Sequence, residues 1–162
     1  MKKVVLILFV VLGTLNISQA QIIVSFTATT GDSEMNSVLT DVHNQAIKDI
    51  TAFHNNVVST FNIVSSKVDA ALKLLAPGDV YMAAQLSVSV NKPFEEVVKT
   101  YQANKSKGWG AIAKDLGIKP GSAEFHAMKK SMKSKGSKGN GKGDASKGNG
   151  NNKGNSGKGK KK

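Results

Sequence analysis

Apolar residues recur at steps of three or four from Met35 to Leu75: Met35, Leu39, Val42, Ala46, Ile50, Phe53, Val57, Phe61, Val64, Val68, Leu72 and Leu75. A step averaging near 3.6 lays one stripe along an α-helix, whereas a half-buried strand would alternate with period two. The stripe predicts an all-α fold that opens with one long amphipathic helix over 33–76, roughly 60 Å at 1.5 Å per residue. Ser33 is the expected N-cap, Glu34 sits in the first turn, and Leu75-Ala76-Pro77-Gly78 is the stop. The weak stretch is Asn55 to Ser66, where Asn, Ser, Thr and β-branched residues lower helix propensity and allow either a bend or a break into two helices. A helix of that length cannot bury its whole stripe on a cluster of short helices. Self-association through 33–76 is therefore expected, as a loose helix pair because the steps keep no strict heptad.

Past the Pro77-Gly78 stop, turn residues punctuate the chain into a short-helix module over 79–134. Asp79 can cap a helix from Val80 to about Val88, although Leu86 to Val90 alternates with period two and could be extended. Pro93 reads as the first residue of the next helix, with Glu95 and Glu96 in its first turn and Phe94, Val97, Val98 and Tyr101 on one face. Trp109, Ile112, Ala113 and Leu116 repeat that arrangement, and Gly117 is placed to end it as the C′ residue. Pro120-Gly121-Ser122 then opens a last helix through Phe125 and Met128, reaching Met132 and running out into the C-terminal segment.

Within this module, residues 109–128 fit a helix-turn-helix template: Ala113, then Gly117 and Ile118 at the turn. Base readout lacks its chemistry, because the chain contains no Arg and the second helix would begin Pro120-Gly121-Ser122-Ala123-Glu124. The unit is expected to be a packing device, with Trp109 as a core anchor between Gly108 and Gly110. Its marked positions are Trp109, Gly117, Pro120, Gly121, Ser122, Phe125 and His126. Together with the preceding PFEEVVKTY, the string GWGAIAKDLGIKPGSAEFH resembles the C-terminal portion of a group of uncharacterised exported bacterial proteins that share GWG-x-IA-x-x-LG-x-x-PGS-x-EFH. The resemblance covers Lys92 to His126, and it implies a small helical module in an extracytoplasmic setting and nothing about catalysis.

Site chemistry is sparse. The chain has no Cys, which removes disulfides, thiolate zinc sites and a cysteine nucleophile. His43 and His54 lie eleven residues apart, too far for one metal ion, and His126 has Glu124 nearby but no second ligand at metal-binding spacing. No GxSxG elbow, P-loop or GxGxxG is present, and Asp69 with Lys73 and Glu95 with Lys99 read as surface i, i+4 pairs. No enzyme activity, metal or cofactor is therefore expected.

The two ends of the chain differ in character from the module. Residues 1–20 read as a signal peptide, with Lys2 and Lys3 before the apolar run Val4 to Leu12 and small residues Ser18 and Ala20 before a cleavage site after Ala20. Residues 21–32 form an extended leader. At the other end, eleven of the twelve net positive charges fall in 129–162, a Lys, Gly, Asn and Ser segment expected to be disordered. Its lysines, Lys129, Lys130, Lys133, Lys135, Lys138, Lys142, Lys147, Lys153, Lys158, Lys160, Lys161 and Lys162, are the candidate polyanion contacts. The expected partner is an anionic envelope polymer or anionic lipid surface met without specificity; sequence-specific nucleic acid is not expected. Two alternatives stand beside it: nucleic-acid binding by the helix-turn-helix-like unit with the tail, and a self-associating structural protein with a merely solubilising tail.

Overall fold

The structure, a computed structural model, describes residues 26–136; residues 1–20, expected to be a signal peptide, leader residues 21–25 and the segment after 136 lie outside the described residues. The described residues are all-helical: α1 (Ser33–Ala46), α2 (Ile50–Phe61), α3 (Ser65–Leu72), α4 (Pro77–Val90), α5 (Phe94–Asn104), a 3-10 turn (Lys105–Lys107), α6 (Gly108–Asp115) and α7 (Ala123–Gly136).

The single long helix over 33–76 is not what forms. Its stripe is cut into α1, α2 and α3 and folded back on itself. The first cut falls at Asp49, whose Oδ1 accepts the Ala52 N–H at 2.9 Å as a new N-cap. The second is at Asn62, which takes the left-handed conformation (φ +52°) while the Ile63 N–H reaches back to the Val58 carbonyl. Most of the stripe is still buried, but Ile50 and Val64, which fall at the cuts, are 47% and 60% exposed. The weak stretch 55–66 thus holds a full break, and the break at 47–49 lies outside that window.

α4 is the hub. Its residues from Gly78 to Ser87 are all buried, and α1, α2, α3, α5 and α7 all pack on it. A helix stretch buried on every side shows no clean amphipathic period; the end of α4, Leu86 to Val90, which also read as a possible strand, is helical through Val90 with Val88 exposed. The helix starts at Pro77 after the N-cap Ala76, so the Pro77-Gly78 stop is also a start and Asp79 is not the cap. Asp32 rather than Ser33 caps α1, accepting the Met35 N–H at 2.9 Å, and Pro93 occupies the N-cap position of α5 rather than its first turn.

The α6 terminus forms as its residues indicate. Gly117 (φ +104°) donates to the Lys114 carbonyl and Ile118 to the Ala113 carbonyl, a paired closure that buries Ile118. The Ser122 hydroxyl then accepts the Phe125 N–H at 3.2 Å and starts α7. α6 packs on α5, whereas α7 lies across α1 and α4. α7 continues to Gly136 with Met128 and Met132 in the core, so the last helix runs on into the first residues of the 129–162 segment.

Candidate functional site

Two clusters concentrate the polar chemistry of the described residues, one sealed and one at the surface. In the first, the Tyr101 hydroxyl and the Trp109 indole N–H donate to the same oxygen, Asp79 Oδ1, at 2.9 and 2.8 Å. The two rings stack face to face, 4.0 Å between centroids and 4° from parallel. Asp79 is 3% exposed. Burial pushes its carboxyl above the usual range, and the bonds from Trp109 and Tyr101 oppose that shift. Burial beside Asp79 also raises the Tyr101 phenol. This carboxylate ties α4, α5 and the start of α6 together through Oδ1.

The leader completes this cluster. The Thr29 carbonyl accepts the Gly110 N–H at 3.1 Å, and the Thr29 hydroxyl accepts the Trp109 N–H at 3.3 Å. A Cβ on Gly110 would stand 2.4 Å from the Thr30 carbonyl oxygen, and one on Gly78 would stand 2.4 Å from Phe26. The glycines flanking Trp109 therefore make room for the leader backbone, which crosses the start of α6 while Trp109 points inward. Phe26 stacks on His43 at 4.6 Å, and burial lowers the His43 pKa.

The second cluster holds the candidate lysines that fall among the described residues. Lys129 bridges Asp32 (2.9 Å) and Glu34 (2.8 Å) at the start of α1, and Lys133 also pairs with Glu34. The Lys129 ammonium holds both carboxyls below their usual range, with Lys133 adding to the effect at Glu34, and its own pKa is raised in return. Lys135 lies over the Phe61 ring, 4.7 Å from its centroid. Lys130 is exposed and pairs with no acid among the described residues. Two of the four are thus ion-paired within the fold; the other eight, Lys138 to Lys162, lie outside the described residues. Local sequence carries no signal for the Asp32–Lys129 clamp, because its partners are 97 residues apart.

The remaining marked residues are scattered. His54 bridges α2 and α3 through Asp69 (3.1 Å), and Glu95 pairs with Lys67, so neither Asp69–Lys73 nor Glu95–Lys99 forms; once α2 and α5 lie against α3, the cross-helix partners are taken. His126 packs edge-on to Phe125. Pro120 and Gly121 form the turn before α7. No group of His, Asp and Glu among the described residues is arranged to hold a metal ion, and no described helix is long and apolar enough to cross a membrane. Comparison of the chain with protein-family models, curated proteins and solved structures finds no match to any of the three.

Proposed function

We propose that this is an exported, non-enzymatic helical protein whose C-terminal lysines make non-specific contact with a polyanion, an anionic envelope polymer or anionic lipid surface. One observation carries the reading: charge is segregated along the chain. Residues 26–136 hold thirteen Lys against ten Asp and Glu, whereas 137–162 hold eight Lys and the single acid Asp144. The clamp on Asp32 and Glu34 takes up Lys129 and Lys133, which leaves the contact to the eight lysines beyond α7 and to Lys130. Each Lys near an anionic surface contributes about 1 kcal/mol, screened by salt. Lys is a hydrated point charge, and without Arg or aromatic residues in the segment the contact has affinity but no sequence preference. The resemblance of Lys92–His126 to exported proteins and the signal-like residues 1–20 support the extracytoplasmic setting.

The test compares the full-length protein with a chain stopped after Gly136, which keeps all of α7. Phosphatidylserine vesicles at low salt should retain the full chain at least about tenfold better than the truncated one. High salt or phosphatidylcholine should abolish the difference. Equal retention of both chains would remove the reading, and preferential retention on DNA of one sequence would replace it with nucleic-acid recognition.

A further inference from the structure

Folding the Met35–Leu75 stripe back on itself removes the long helix pair expected over 33–76, but it leaves other apolar surface outside. Among the described residues five large apolar side chains are exposed, and three of them, Val64 (60%), Leu74 (58%) and Val88 (53%), edge two adjoining hollows. The first is a groove of about 550 Å³ between α3 and α5, with Phe94 and Val98 at its floor and Ala70 and Leu74 exposed along its α3 edge. The second is edged by Val64 and Val88 and shares Lys67, Phe94 and Glu95 with the first. The two meet at the Lys67–Glu95 ion pair and form one face. Apolar surface gathered in this way and rimmed by charge marks an interaction site.

The rim narrows the choice of occupant. It carries Lys67, Lys92 and Lys99 against Glu95 and Glu96, so in a chain of net charge +12 this face is close to neutral. An anionic lipid or polymer would meet two carboxylates here, whereas a second copy presents both signs. Glu95 is taken by Lys67 and Glu96 by Lys92, which leaves Lys99 with no acid partner among the described residues. A two-fold axis makes every contact twice, in reverse. Placed at the middle of the face, it sets Lys99 against the partner's Glu96 and Leu74 against the partner's Val64 and Val88. The size agrees: α3, α5 and the turn before α5 cover roughly 25 Å by 20 Å, or about 1,000 Å² from two copies, the low end for a specific interface and the scale of a weak, reversible dimer. The lysine-rich segment leaves from elsewhere, because α7 packs mainly on α1 and α4.

We propose that the α3–α5 face binds a second copy of this chain about a two-fold axis. Ala70 and Leu74 of each copy cover the apolar face of the other, and Lys99 supplies the cross-copy ion pair. Such a dimer brings two lysine segments to one polyanion and strengthens retention by avidity, although its formation does not depend on that contact.

The test is sedimentation velocity on the chain from Gln21 onward, which omits the apolar run Val4 to Leu12. Concentrations run from about 10 µM to about 1 mM at about 0.15 M salt, where a Debye length of about 8 Å screens repulsion between the lysine segments. A reversible monomer–dimer equilibrium is expected, with concentration-dependent amide NMR shifts confined to α3, α5 and the end of α4. Leu74→Glu should weaken the dimer at least about tenfold. Lys99→Glu, at an exposed position outside the core, should weaken it in the same direction, and unchanged urea midpoints in dilute solution separate a lost interface from a lost fold. Ile47→Glu is the control, because Ile47 is 63% exposed but edges neither hollow; it should leave the dimer intact. A monomer up to about 1 mM, or a dimer that survives both Leu74→Glu and Lys99→Glu, would overturn the proposal. So would a chain that stays monomeric while this face shifts with phosphatidylcholine bicelles, which would assign the face to lipid.

Discussion

The Trp109 indole N–H donates to Asp79 Oδ1 at 2.8 Å across thirty residues of sequence, and the Tyr101 hydroxyl donates to the same oxygen. A buried carboxylate with two charge-assisted donors tolerates burial; with one removed it is left partly unsatisfied. Trp109→Phe should therefore destabilise the protein by about 2–4 kcal/mol, combining the lost bond with the cavity left by the indole. Tyr101→Phe, which removes only the hydroxyl, should cost about 1–3 kcal/mol. Urea unfolding checks both values, and a double-mutant cycle should show coupling because both donors share one acceptor.

The same carboxyl gives stability a pH dependence. Its folded pKa is raised above the ordinary value of 3.8, so the folded state binds this proton more tightly than the unfolded chain. The resulting stability is fully present below the unfolded value and is lost as pH rises through the folded one. Asp32 and Glu34 act in the opposite sense: their lowered values give stability that is present above the unfolded pKa and is lost as pH falls through the folded one. Relative to Asp79→Asn, the wild-type protein should lose stability as pH rises from below 3.8 and then level off. Denaturant midpoints measured across that range test the sign; a difference that grows in the other direction contradicts it.

α7 is held by two different forces, and they should separate experimentally. Met132 is fully buried, so Met132→Ala should cost about 2–5 kcal/mol in global stability. Lys129 lies at the surface, and Lys129→Met should act locally: faster amide hydrogen exchange over 123–136, with little change over α4. Salt should reproduce the Lys129 effect and leave the Met132 effect unchanged.

Gly110→Ala places a methyl 2.4 Å from the Thr30 carbonyl and must displace either the leader or the start of α6. A cost of about 1–3 kcal/mol is expected, with earlier proteolytic cleavage between Phe26 and Asp32. If the leader were an incidental contact, the cleavage rate would not change.

The local grammar of the chain was largely legible. Gly117 and Ser122 end and begin helices where their residue types say they should, because a left-handed C′ residue and a side-chain N-cap need only neighbours within one turn. The burial of Trp109 and the absence of strand among the described residues were readable in the same way. The stripe from Met35 to Leu75 misled, since a 3.6-residue period marks which face is buried but not whether the helix is continuous. Asp49 and Asn62 sit within it as ordinary polar residues, and their capping roles emerge only once the chain turns. Exposed Ile50 and Val64 are the trace of those turns.

The helical class, the ends of α6 and the segregation of charge toward the C-terminus depend on composition and on contacts within a few residues, and they can be read along the chain. The hub role of α4, the burial of Asp79 beneath Tyr101 and Trp109, the leader's path over Gly110 and the clamp of Lys129 on Asp32 arise from the packing of distant segments. The bonds that define these features join groups 22 to 97 residues apart. Such a pairing is set by which helix faces meet as the apolar stripe folds back on itself, and no local pattern of residues encodes it.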